Sequence, residues 1–244
     1  MLIRKTIDDR FECITQEQHA FASGLLAAAW QRTRLDPHLV QVIGVHDTPW
    51  RRADQGLLFD EATGLPHDFI TYPMDQKVHM YSEGLDEIEE IDPLAAYLVS
   101  LHYTTFSGTR DHEPLTRPEQ ARRERLERFV GDDVDVDDAL GWIKFFDILS
   151  LYLCLTGPRA EPGSIPRWLD GDGWQTSPDG AELALEWRDD RTLSLQAWPF
   201  VEDELRVPLR MRVFDSRFSN ASDMRRAWSA CEPTQRSLLL QPGH

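Results

Sequence analysis

The sequence is short of the residues that several kinds of chemistry need. Its 244 residues hold three cysteines, Cys13, Cys154 and Cys231, far apart. None sits in a C-x-x-C pair, which excludes a cysteine-ligated zinc site, argues against a disulfide framework and fits a reducing, cytoplasmic compartment. No run approaches the roughly 20 apolar residues of a membrane span; the best, residues 145–155, is shorter and contains Asp147. The opening MLIRKTIDDRF offers no apolar h-region of a signal peptide. There is no Gly-rich phosphate loop of either the G-x-x-x-x-G-K or the G-x-G-x-x-G type. Ser23-Gly24 and Ser107-Gly108 lack the G-x-S-x-G elbow, and Cys154 in an apolar helix reads as an inert core thiol. Positive charge is scarce: 26 Lys and Arg face 42 Asp and Glu, a net charge of −16. Only Lys5, Lys77 and Lys144 are lysines. Such a chain repels phosphate backbones and anionic lipid, which excludes general nucleic-acid or membrane-surface binding.

What is present suffices for a sizeable core, since 8 Trp, 11 Phe and 5 Tyr offset an apolar share of 41%. Residues 1–14 alternate loosely, as a strand would. Helix starts are marked by Thr15-x-x-Gln18, a capping-box pattern, and by Asp36-Pro37 and Asp92-Pro93, each an N-cap followed by Pro. Thr116-x-Pro118 predicts a further solvated helix, and the acidic run GDDVDVDD precedes DALGWIKFFDILSLYLCL, where carboxylates suit a helix N-terminus. Residues 74–91 read as a helix with a polar outer face, and residues 48–69 as a long loop rich in turn formers. Beyond about residue 160 the period changes to two in ELALEW, TLSLQAWPF and ELRVPLRMRVF. Leu205, Val207, Leu209, Met211 and Val213 share one face, and Arg206, Arg210 and Arg212 the other; Pro208 predicts an edge strand or a bulge. A short helix near residues 223–231 and a strand SLLLQ end the chain. The expected fold is mostly α: a helical bundle over residues 1–160, followed over residues 161–244 by a C-terminal antiparallel β-meander. Trp187, Trp198 and Phe200 would dock the meander on the helical body.

The costly residue is Asp147, set inside F-F-D-I-L in the most apolar stretch of the chain. A buried carboxylate costs several kcal/mol unless it is paired or holds a metal. Histidines in similar settings lie on other predicted helices: His19 among Ala20, Phe21, Leu25 and Leu26, His46 after V-I-G-V, and His102 in L-V-S-L-H. Imidazole and carboxylate together suit Zn, Fe, Mn or Ni. His46 and Asp47 are neighbours, so their side chains diverge by about 100° on a regular helix. They converge only near a helix end, which Thr48-Pro49 supplies.

This order, His … His-Asp … Asp on separate helices, resembles the HD-domain superfamily of metal-dependent phosphohydrolases. The resemblance implies an HD-like helical core in which His19, His46, Asp47 and Asp147 ligate metal. It implies His79 and His102 as extra ligands or as groups that orient a ligand, with His102 also a candidate acid or base. Many HD hydrolases carry Gly-Lys just after the HD pair; here Pro49 and Trp50 stand there, and Arg51 and Arg52 are the candidate replacements for the missing cation. Asp47 would bridge a second ion or accept a proton. Asp54 and Asp68, in the long loop, are candidates to close over the site.

A second resemblance spans nearly the whole chain. Q-x-x-H-A at 16–20, G-L-L-A-x-x-W at 24–30, H-D-x-x-W at 46–50, T-G-x-P at 63–66, D-P-x-A-A-x-L-V-S-L-H at 92–102 and W-P-F at 198–200 are similar to an uncharacterised bacterial domain-of-unknown-function family grouped with HD-like folds. The combined expectation is a metal-dependent hydrolase of a small phosphate ester or nucleotide-like molecule. Its cofactor would be one or two divalent ions among Mn, Fe, Ni and Zn. An HD-like di-iron oxygenase and a non-catalytic ligand-sensing or partner-binding scaffold are the alternatives. A second copy of the chain is a candidate partner for the arginine face of residues 206–212.

Overall fold

The two ends of the chain meet in one sheet. In the computed structural model, which describes residues 1–106, 108–161, 163–170 and 173–243, β1 (Leu2–Lys5) and β2 (Phe11–Ile14) form an antiparallel hairpin. Its turn passes through Asp9 at φ 65°, a left-handed conformation that Asp tolerates better than most residues. Strand β2 then pairs with a strand nearly 200 residues later, β7 (Leu205–Phe214), in the register Phe11↔Phe214 to Ile14↔Met211. With β5 (Leu185–Trp187), β6 (Thr192–Leu195) and β8 (Thr234–Pro242) the sheet order is β1-β2-β7-β8-β6-β5.

The fold is therefore α+β, with 47% of the chain helical and 18% in strands. A mostly helical bundle followed by a meander is the wrong description. In a meander, strands adjacent in sequence are adjacent in space. Here β8 inserts between β6 and β7, and β6 and β8 run parallel. Local alternation shows that strands exist but not which ones pair, and β1 and β2 are only four residues each. Pro208 likewise lies in an interior strand. It faces Ser237 of β8, but β2 reaches only from Met211 to Phe214, so Pro208 sits where β7 has no neighbour on that side.

Among the described residues there are seven longer helices and two short ones, of which α1 packs on β7 and α7 on β1: α1 (Gln16–Ala29), α2 (Pro37–Val45), α3 (Arg51–Gln55), α4 (Met74–Ile91), α5 (Pro93–Thr104), α6 (Glu113–Leu126), α7 (Val136–Leu155), α8 (Arg167–Asp170) and α9 (Ala221–Ala230). The expected caps form: Thr15, Asp36 and Asp92 accept backbone N–H bonds from Gln18, His38 and Ala95, and Asp135 accepts from Asp138. Helix α6 begins at Glu113 rather than near Thr116, because Pro114 takes the first turn and leaves Pro118 inside. The expected long loop is mostly ordered local structure. It holds a 3-10 turn (Thr48–Trp50), α3, and a hairpin of β3 (Phe59–Asp60) and β4 (Leu65–Pro66) that turns at Gly64, φ 68°.

Trp30 joins the layers, with T-shaped contacts to Trp142, Phe145, Phe146 and Phe200 at ring separations of 5.4–5.8 Å. Trp187 of β5 donates from Nε1 to Thr156 Oγ1 just beyond α7. Two backbone approaches set the helix positions. A Cβ at Gly24 of α1 would stand 2.7 Å from Gly44 Cα of α2, and one at Gly84 of α4 would stand 2.3 Å from Pro49 Cβ. Among the described residues no helix is long and apolar enough to cross a membrane.

Candidate metal centre

Five side chains converge, three from the helices α1, α5 and α7 and two from the end of α2. His19 lies one turn into α1. His46 is the C-cap of α2, still helical at φ −56° and ψ −32°, whereas Asp47 has left the helix at φ −101° and ψ 16°. That change of backbone direction lets adjacent residues aim at one point. His102 comes from the last turn of α5 and Asp147 from the middle of α7. His19 Nε2 lies 2.9 Å from Asp47 Oδ2 and 3.5 Å from Asp147 Oδ1. His46 Nε2 lies 3.5 Å from Asp147 Oδ1 and 3.9 Å from Asp47 Oδ2. His102 Nε2 is 3.5 Å from Asp147 Oδ2. The three imidazoles are 0–1% exposed and the two carboxylates 7–8%, so what opening there is lies on the carboxylate side.

The other ring nitrogens fix the tautomers. His46 Nδ1–H donates to the carbonyl of Ile43 at 2.7 Å, which leaves Nε2 as a bare acceptor. Ser150 donates its hydroxyl hydrogen to the Asp147 carbonyl at 2.9 Å, so His19 Nδ1–H donates to Ser150 Oγ at 2.6 Å and His19 Nε2 is also an acceptor. Ser23 extends the chain, donating to Ser150 Oγ at 2.8 Å. Acceptor nitrogens thus face acceptor oxygens in a buried cluster, an arrangement that is repulsive without a cation between them. His46 Nε2 indeed has no hydrogen-bond partner.

In the absence of metal a proton fills part of this need. Burial alone would lower the His46 pKa, but the Asp47 and Asp147 carboxylates outweigh it and raise the value to about 9. Burial would raise the Asp47 pKa, yet the charge of His46 holds it down at about 2. Asp147 is lowered by the same imidazoles against its burial. His102, where burial dominates, is lowered to about 4. Tyr103 donates to the His46 carbonyl at 2.6 Å and stands 3.1 Å from Asp47 Oδ1; burial, then the Asp47 charge, pushes its own pKa well above the ordinary value.

Other expected site residues lie elsewhere. His79 is on the outside of α4, with 77% of its side chain exposed, and pairs with Glu83 at 3.2 Å. Arg51 is exposed and bound to Glu17, and Arg52 is exposed and bound to Glu83 and Glu87. Asp54 is buried but accepts from Gln16 N and pairs with the Met1 ammonium. Asp68 caps its own turn through Ile70 N and Thr71 N. Neither closes over the cluster. Tyr103, Ser150 and Ser23 escaped the sequence reading. The only signals they give are a Tyr beside His102, a Ser one turn after Asp147 and a Ser one turn after His19.

A family model described as protein of unknown function (DUF3891) matches residues 1–216. The chain belongs to the DUF3891 family. The match takes in all five converging residues and strands β1 to β7, and stops before α9 and β8. No curated protein and no solved structure matched the chain.

Proposed function

We propose that this DUF3891 protein is a metal-dependent hydrolase of HD type, acting on a small phosphate ester. The observation that carries the reading is the buried set of facing acceptors, with His46 Nε2 left unpartnered at its centre. The spacing fits one ion: ligands about 2.1 Å from a common centre stand about 3.0–3.4 Å apart at octahedral or tetrahedral angles, and the shortest observed separations are 2.9 and 3.5 Å. His19, His46, Asp47 and Asp147 would hold it, with His102 as a further ligand. A bound transition metal supplies Lewis acidity toward water and toward the phosphoryl oxygen.

The chain's residues do the rest. Ser150 and Ile43 hold His19 and His46 with Nε2 inward, and Tyr103 orients Asp47. His102 keeps its Nδ1 buried, and it is Nε2, 3.5 Å from Asp147 Oδ2, that faces the cluster. One ion is favoured over two. The groups His19–His46–Asp47 and His46–His102–Asp147 share His46, whose only free nitrogen serves a single ion. That favours hydrolysis over paired-iron oxygen chemistry.

The test is elemental analysis of purified protein beside His46→Ala and Asp147→Ala, followed by phosphate-ester substrates with Mn, Ni, Fe and Zn. Near-stoichiometric metal that both folded variants lose, together with ester hydrolysis, is the expected result. Metal content unchanged in both variants would refute it.

A further inference from the structure

One cavity of the molecule plays no part in the metal centre. It encloses about 180 Å3 between the β1–β2 hairpin, the β3–β4 hairpin and the segments around Asp68 and Arg217. None of the five converging residues lines it, whereas Thr63, Leu65 and Pro66 of the T-G-x-P motif do. Phe11 and Leu65 supply apolar wall. Charges of both signs, Lys5 and Arg217 with Asp60 and Asp68, stand around it.

Two of these four charges are already satisfied. Glu161 and Asp9 hold the Lys5 ammonium at 2.9 and 3.1 Å. Asp60 uses one oxygen on Ala62 N and the other on the Thr63 hydroxyl. Arg217 and Asp68 are left unmatched. The Arg217 guanidinium lies 5.3 Å from the Phe11 ring centre, and its Nη1 donates to the Thr63 carbonyl; its other N–H groups have no acceptor among the described residues. Asp68 turns Oδ1 to Ile70 N, Thr71 N and the Thr71 hydroxyl, which leaves Oδ2 without a donor among the described residues. Neither joins an ion pair among those residues, so the two opposite charges line one cavity yet stand beyond the roughly 4 Å of a salt bridge. We propose that this cavity binds a small zwitterionic α-amino acid, with its carboxylate on Arg217 and its ammonium on Asp68.

A ligand with one sign of charge fits less well. A simple anion would meet the two carboxylates, and a simple cation would meet Arg217 and Lys5. A zwitterion completes both unmatched groups, and the planar guanidinium fork suits a carboxylate. The volume holds roughly six water-sized groups at about 30 Å3 each, the bulk of alanine or serine. The site is also preformed. Gly64 turns at φ 68°, its carbonyl accepts from Phe218 N at 2.7 Å, and a Cβ there would stand 3.2 Å from Arg217 Cβ. The turn at residues 63–64 thus fixes the segment that carries Arg217, which lowers the ordering cost of binding.

The experiment titrates the full chain with L-alanine, L-serine, acetate and ethylammonium by calorimetry, with and without EDTA, and reads thermal midpoints alongside. Saturable binding of alanine or serine, unchanged by EDTA and at least about 10-fold tighter than either single-charge probe, is the expected result. Arg217→Gln and Asp68→Asn should each weaken it about 10–100-fold, the range for hydrogen bonds to charged groups, with midpoints near that of the parent. Arg217→Lys should restore part of the affinity. Where Asp68→Asn folds poorly, Arg217→Gln carries the same comparison. No saturable heat with either amino acid overturns the proposal, as does equal affinity in the parent and the variants. Acetate binding as tightly as alanine overturns it too. Binding that EDTA abolishes belongs to a metal ion and overturns the assignment to this cavity.

Discussion

On the proposed metal-dependent reading, metal and proton would compete for one nitrogen, and the competition has a calculable size. His46 Nε2 points at Asp47 and Asp147, which lift its pKa to about 9. At pH 7 the imidazole is almost wholly protonated in the metal-free protein, and a metal ion must displace that proton. The cost is the ratio between pH 7 and pH 9, about 100-fold in apparent affinity, or about 3 kcal/mol. Asp47 at about 2 and His102 at about 4 have already lost their protons and add nothing in this range. The logarithm of the apparent affinity for Mn2+ or Ni2+ should therefore rise by about one per pH step between pH 7 and 8.5 from His46. Chelator-competition titrations at several pH values read the slope. Calorimetry in buffers of different ionisation enthalpy reads the proton released. An affinity flat across this interval, with no buffer-dependent heat, would refute the claim that His46 carries the proton that metal replaces.

The metal-free protein should be most stable near pH 6.5. The His46 contribution, with its pKa raised from 6.5 to about 9, is complete below 6.5 and lost as pH rises through 9. The His102 contribution, with its pKa lowered from 6.5 to about 4, is complete above 6.5 and lost as pH falls through 4. Each limb spans up to about 3 kcal/mol, and saturating metal should flatten the alkaline one; urea midpoints with and without chelator measure both, and stability still climbing from pH 6.5 to 9 without metal would contradict the assignment. Gly84→Ala drives a methyl into Pro49 and should cost about 1–3 kcal/mol and weaken metal binding, because Pro49 follows Asp47 by two residues. Adding Pro49→Gly should recover part of that loss, and a double-mutant cycle with no coupling would show that the contact does not matter. Tyr103→Phe removes the hydroxyl bonds to His46 O and Asp47 and should cost about 1–2 kcal/mol of stability while keeping metal stoichiometry, read by urea unfolding and elemental analysis.

Local signals marked most of the helices and the inner members of the centre. N-caps at Thr15, Asp36 and Asp92 announce themselves because their chemistry is confined to a few residues. Asp147 was visible as a carboxylate in an apolar stretch, and its 3.5 Å distance from His46 is within what a shared ion spans. The sheet was not legible, since the pairing of Phe11 with Phe214 depends on tertiary packing that no local period records. His79 failed for a related reason. Helical spacing places a residue on a face, and in α4 that face, with Glu83 four residues on, is the solvent face. Arg51 and Arg52 carry suitable chemistry, but their choice of partner is decided by acids on α1 and α4.

Pro49 shows how a departure from the expected motif is absorbed. At the place where a glycine and then a lysine would follow the His-Asp pair, the chain has a proline and a tryptophan. The proline ends the backbone freedom just beyond Asp47, begins the 3-10 turn and fills the space that Gly84 leaves open on α4. Trp50 is buried against Tyr72 and Tyr81, and Tyr81 stacks on Tyr103, whose hydroxyl reaches Asp47. The segment that in the expected motif would offer a flexible cation is instead a rigid support for Asp47.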